Sequence, residues 1–252
     1  MFSFYLKKLI ISPMMIFSIG GMFMMLFMSV VFMDGYHELS PLYLFQYSNA
    51  VGISYYFIPV MTVLPICFLQ YEMITRGAER FLLYRSTAMR YLAGGLFASG
   101  ISGAVMMCAS FGVFILFCIL TGADGVVLSE GLHSFAGTWL ENCPTFVVYF
   151  WEAFVFSMNG VIWPMISFVS FAFSKNQYLA ASLPLILRSG SSYLLQRLEW
   201  YYLDPAQLQL DGVVSAGRPD GGLFYLIGYV SIVTLICGMI SFIQLRRRII
   251  HG

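Results

Sequence analysis

Charge is scarce in this chain: Asp, Glu, Lys and Arg make up 10% of its 252 residues, against 60% hydrophobic residues. Mean hydropathy is +0.82, a balance that excludes an ordinary soluble domain. Histidine is rarer still. His37, His133 and His251 stand on separate segments, so local spacing assembles no metal site of His and Cys ligands. Five cysteines make no disulfide framework, because Cys67, Cys108, Cys118 and Cys237 fall in apolar runs and only Cys143 approaches a polar segment. They read as small apolar residues. The stretch "GGLFASGISG" at 94–103 lacks the Lys-Ser/Thr pair of a phosphate-binding loop. "HELS" at 37–40 lacks the second histidine of a zinc-protease helix, and no G-x-S-x-G marks a nucleophile elbow. Neither nucleotide hydrolysis nor intramembrane proteolysis has a motif here.

Long apolar runs are what the chain has in abundance. About 20 apolar residues cross roughly 30 Å of hydrocarbon, and six such runs stand out: 14–33, 50–70, 91–120, 145–173, 178–196 and 223–245. They predict an all-α membrane protein with six transmembrane helices, folded as one domain over residues 1–252. No linker, repeat or low-complexity tract divides it. The third and fourth runs exceed one crossing, so they tilt, extend beyond the membrane as helix, or contain a surface turn.

Orientation follows from the basic residues. If the six runs alternate, Lys7, Lys8, Arg76, Arg80, Arg85, Arg90, Lys175, Arg246, Arg247 and Arg248 share one side. Asp34, Glu38, Asp124, Glu130, Glu141, Glu199, Asp204, Asp211 and Asp220 share the other, with Arg197 and Arg218. The first side is expected to be cytoplasmic and to hold both termini. The net charge of +1 hides this polarity, and once orientation is satisfied no basic surface remains for nucleic acid.

The opening "MFSFYLKKLIISP" leads into an apolar stretch without a small-residue cleavage site, so it is read as part of a retained first span. Phe2, Phe4, Tyr5, Leu6, Leu9 and Ile10 around Lys7 and Lys8 suit an interfacial helix that turns at Pro13, or the frayed start of that span. On the outer side, "RLEWYYLDPAQLQL" places Trp200, Tyr201 and Tyr202 where aromatic residues settle at headgroup level, with a short helix expected after Asp204 and Pro205. Gly94, Gly95, Ala98, Ser99, Ser102 and Gly103 suit close helix packing through small residues.

Two ionisable residues lie inside the runs, where such groups are candidates for function. Glu152 and Arg188 each sit about 10–12 Å below the outer boundary at 1.5 Å per residue. They are expected to pair across neighbouring helices, as a packing ion pair or on a transport path; the alternative is that each reaches separately toward the headgroups.

The densest charge lies in "YEMITRGAERFLLYRSTAMRYL", residues 71–92. At helical spacing Glu72, Arg76, Glu79 and Arg80 form opposite-charge pairs, and Phe81, Leu82 and Leu83 supply apolar anchors. Gly77 ends or bends the helix, and Ser86 or Thr87 caps the next. Such an element either docks into a groove on a soluble partner or simply keeps the loop inside.

Phe68, Glu72, Gly77, Leu83, Arg85, Ser86 and Tyr91, in that order, resemble the second-to-third-span region of bacterial ABC transporter permeases of the type 2 exporter class. The whole-chain layout is similar as well, and the size resembles the small permeases of peptide-antibiotic export and self-immunity systems. Arg85 departs from the proline many members carry, and the fifth run with Arg188 is more polar than the class would suggest. The resemblance implies a multi-pass permease of the bacterial cytoplasmic membrane, not itself an enzyme and without a cofactor of its own. ATP and Mg would be bound by a separate soluble ATPase subunit, and a second permease copy or related chain would complete the channel. Glu72, Arg76, Gly77, Glu79, Arg80, Phe81, Leu82, Leu83 and Arg85 would form the coupling helix received by that ATPase. The many Phe, Tyr and Met residues suit a hydrophobic or amphipathic cargo, such as a peptide, with membrane lipid around the spans. The competing class is a membrane binding, immunity or scaffold protein that transports nothing.

Overall fold

A computed structural model describes residues 1–31, 38–51, 54–77, 88–123, 143–174, 176–200, 204 and 222–251. Eight helices and no strands occur among the described residues. They are α1 (Phe2–Ile10), α2 (Pro13–Val31), α3 (Pro41–Val51), α4 (Ser54–Thr75), α5 (Ala88–Leu120), α6 (Thr145–Ser174), α7 (Gln177–Arg197) and α8 (Gly222–His251). Each of the six apolar runs is a helix whose ends lie within two turns of the sequence reading. Five of these helices, α2, α4, α5, α6 and α8, are long and apolar enough to cross a membrane. The sixth, α7, has the length at 21 residues but not the apolarity, because Arg188, Gln196 and four serines interrupt its sequence.

The two over-long runs resolve into unbroken helices. α5 has 33 residues and α6 has 30, so they reach about 50 and 45 Å at 1.5 Å per residue. Each outruns a roughly 30 Å hydrocarbon layer without a surface turn. α6 keeps Pro164 within it, a residue tolerated in such helices when neighbours take up the freed backbone groups.

The bundle is organised around α6. An added Cβ on Gly103 of α5 would collide with the Gly160 carbonyl of α6, and one on Gly160 would meet the Gly103 carbonyl at 2.6 Å. The two backbones therefore touch, which only glycine permits. One and two turns away, Gly100 and Gly95 of α5 receive the Met165 side chain and the Phe168 ring of α6. Of the small residues read as a packing surface, Ala98, Ser99 and Ser102 are buried as well. Ser99 donates to the Leu96 carbonyl at 2.7 Å and Ser102 to the Ser99 carbonyl at 2.8 Å, so these hydroxyls are satisfied within their own helix.

α1 is a separate short helix, as expected, and it is docked. Tyr5 and Leu9 are fully buried, and Tyr5 meets Tyr91 of α5 edge to face with ring centroids 5.9 Å apart. Its other face leaves Phe2, Phe4 and Ile10 exposed. α3 was not anticipated, since residues 41–49 read as part of an outer segment. Leu42, Leu44, Phe45, Ser48 and Asn49 are nevertheless buried against α2, α4 and α5. Phe45 packs edge-on to both Phe111 and Phe156 at 4.7 Å. Ser48 donates to the Leu26 carbonyl at 3.1 Å, and Ser54 donates to the Ser48 carbonyl at 2.7 Å. These bonds tie the end of α3 to α2 and to the start of α4.

Candidate functional site

One end of the bundle collects Lys7, Lys8, Arg76 and Arg90, while Arg188 lies within α7 and Arg197 at its other end. Lys7 and Lys8 occupy the last turn of α1, where a cation complements the helix dipole. The last turns of α4 lie beside them, because Phe68, Leu69 and Glu72 face Lys7, Lys8 and Pro13 across a common cavity. α5 begins at the same end, its Gly94 against the Phe2 backbone. α8 returns toward it, with Gly238 packed by Leu96.

Glu72 and Arg76 form an i,i+4 ion pair at 2.9 Å, the spacing read from the sequence. Glu72 belongs to the last turn of α4 and Arg76 follows directly on it, rather than both forming a surface helix of their own. The helix closes at Thr75, whose hydroxyl donates to the Tyr71 carbonyl at 3.0 Å. Gly77 follows at φ +65°, a left-handed conformation that ends helices and that glycine adopts without a Cβ penalty. Arg76 is 72% exposed, so the pair contributes little to stability, on the order of 0.5 kcal/mol. Its interest lies in its accessibility. Glu79, Arg80, Phe81, Leu82, Leu83 and Arg85, with Ser86 and Thr87, lie outside the described residues.

The two ionisable residues in the spans are both buried, Glu152 on α6 and Arg188 on α7. Glu152 accepts a hydrogen bond from Gln46 Nε2 of α3 at 3.4 Å, a partner that no local spacing marks out. Arg188 lies on the buried stripe of α7 with Ala180 and Pro184, at spacings of four residues. α6 and α7 meet at the basic end, where Asn176 Oδ1 caps α7 by accepting from the Tyr178 and Leu179 amides at 2.9 and 3.4 Å.

At the far end Asp204 is fully buried and accepts from Ser192 Oγ at 2.6 Å and Gln196 Nε2 at 3.4 Å, both from α7. Trp200 beside it is exposed, while Tyr201, Tyr202 and the helix expected after Pro205 lie outside the described residues. All five cysteines are free. No cluster of three His, Cys, Asp or Glu residues that would hold a metal ion occurs among the described residues. Comparison with protein-family models, curated proteins and solved structures finds no match for the chain.

Proposed function

We propose that the chain is the membrane-spanning permease subunit of an ATP-driven ABC transporter of the type 2 exporter class. It moves a hydrophobic or amphipathic molecule, in our reading a peptide or peptide antibiotic, powered by a separate soluble ATPase. The observation that carries the proposal is the way α4 ends. An exposed ion pair and a left-handed glycine stop the helix at the basic end of the bundle, in the segment that resembles the coupling region of that class.

In this reading α7 is the fifth of six crossings, despite its polarity. It starts at the basic end and α8 comes back to that end, so the chain passes to the far end along α7. Arg188 faces the bundle rather than lipid, which is how a charge is accommodated within a membrane. Both termini then lie in the cytoplasm of a bacterium, and a second copy of this permease or a related one supplies the other half of the pathway.

The mechanism follows from what α4 and α5 touch. Closure of two ATPases on ATP displaces the segment joining these helices. α5 cannot move alone, because its glycines lock it to α6 and Tyr91 holds α1. The displacement therefore tilts α1, α5 and α6 together and switches the cavity between the two halves. Affinity purification of the chain from native membranes in mild detergent tests this directly. Co-purification of a soluble subunit that hydrolyses ATP is expected; recovery of the intact chain with no ATPase would favour the binding or scaffold reading.

A further inference from the structure

The cavity at the basic end has a chemistry that docking of α4 to a motor does not use. Its volume is about 460 Å³, and it is lined by Phe4, Lys7, Lys8, Ile11, Ser12, Pro13, Phe68, Leu69 and Glu72. Only one of its charges is negative, and Arg76 already pairs with that carboxylate at 2.9 Å. Lys7 and Lys8 are exposed and remain available, with the Lys8 ammonium resting 5.4 Å from the centre of the Phe4 ring. Below this cationic rim the surface turns apolar. Ile11 and Phe68, which line the cavity, are exposed, and so are Ile16 and Phe17 one turn beyond Pro13 on α2.

We propose that this cavity binds an anionic phospholipid of the leaflet at the basic end. Its phosphate sits on Lys7 and Lys8, and its acyl chains lie along Ile11, Ile16, Phe17 and Phe68. A cationic rim above an apolar track matches an amphiphile with one negative headgroup, and neither half of the site suits a wholly polar or wholly apolar ligand. Basic residues at such a surface attract anionic lipid with about 1 kcal/mol each, which converts to about fivefold in affinity per lysine. The site requires only that the basic end face an anionic leaflet, so it stands or falls separately from the permease reading. Bound lipid would fix α1 against α2 and α4.

Native mass spectrometry of the full chain, released from micelles doped with equal phosphatidylglycerol and phosphatidylcholine, tests the proposal. The wild type is expected to retain one phosphatidylglycerol in preference to phosphatidylcholine. K7Q/K8Q is expected to lose that preference by roughly 25-fold, while K7R/K8R keeps it and R246Q/R247Q, which removes two charges elsewhere, leaves it unchanged. F68A is expected to weaken retention of both lipids without altering the preference. Equal retention by K7Q/K8Q and the wild type would overturn the site. So would no preference in the wild type, or release of a bound protein rather than lipid by K7Q/K8Q.

Discussion

α6 and α8 are both apolar helices of 30 residues, yet 72% of the apolar window of α6 is buried inside the chain against 17% for α8. The less apolar of the two is the one at the centre. α4 and α6, the least apolar of the five long helices, are the most buried, while α2 and α8 are more apolar and the least buried. A soluble bundle shows the opposite order, because water penalises the exposed apolar face. Here Ile232, Leu235, Ile236, Met239 and Ile243 face outward from α8. The inner helices instead carry buried Ser99, Ser102, Asn159, Ser167 and Ser170. The inversion is what a hydrocarbon solvent produces: apolarity is required where lipid touches the chain, and small or hydrogen-bonded polar residues hold helices together inside.

The contrast can be broken most severely at its centre. Gly103→Leu forces a side chain into the Gly160 backbone and should destabilise the bundle by about 3 kcal/mol or more. Thermal unfolding of the purified protein in detergent would register this as loss of the folded species. Gly112→Ala on the same helix meets no atom within 4 Å and should stay within about 0.5 kcal/mol of the wild type. At the periphery, Leu235→Asp should raise the free energy of inserting α8 by about 2.5–3.5 kcal/mol. Leu235→Ala should change it far less, as read by glycosylation acceptors flanking the helix. If Leu235→Asp behaves like a surface substitution in water, the assignment of that face to lipid fails. The smallest effect on stability belongs to the charged end. Glu72→Lys or Arg76→Glu should shift the unfolding free energy by roughly 0.5 kcal/mol while uncoupling ATP hydrolysis from transport, and the double reversal should restore coupling. Unchanged transport in both single variants would refute the docking role.

The long helices were legible because each is a run of lipid-length apolarity, a signal that survives without any knowledge of packing. α3 escaped for the same reason in reverse. Its 11 residues are too short to cross, and Gln46, Ser48 and Asn49 made it look like surface, although its own partners bury it. The small-residue face of α5 showed itself in "GGLFASGISG", but Gly160 did not, since a single glycine on α6 carries no pattern until its neighbour is known. The Glu72–Arg76 pair was readable from local spacing. Gln46, 106 residues from Glu152 in sequence, was not.

The central claim is that the segment after α4 is pressed by a soluble ATPase. Chemical cross-linking in native membranes, read by mass spectrometry across residues 72–90, tests it most directly. Cross-links from this segment to an ATPase subunit are predicted. Abundant cross-links elsewhere in the chain, with none from 72–90 to any ATPase, would contradict the account and leave those charges with the single task of orienting the chain.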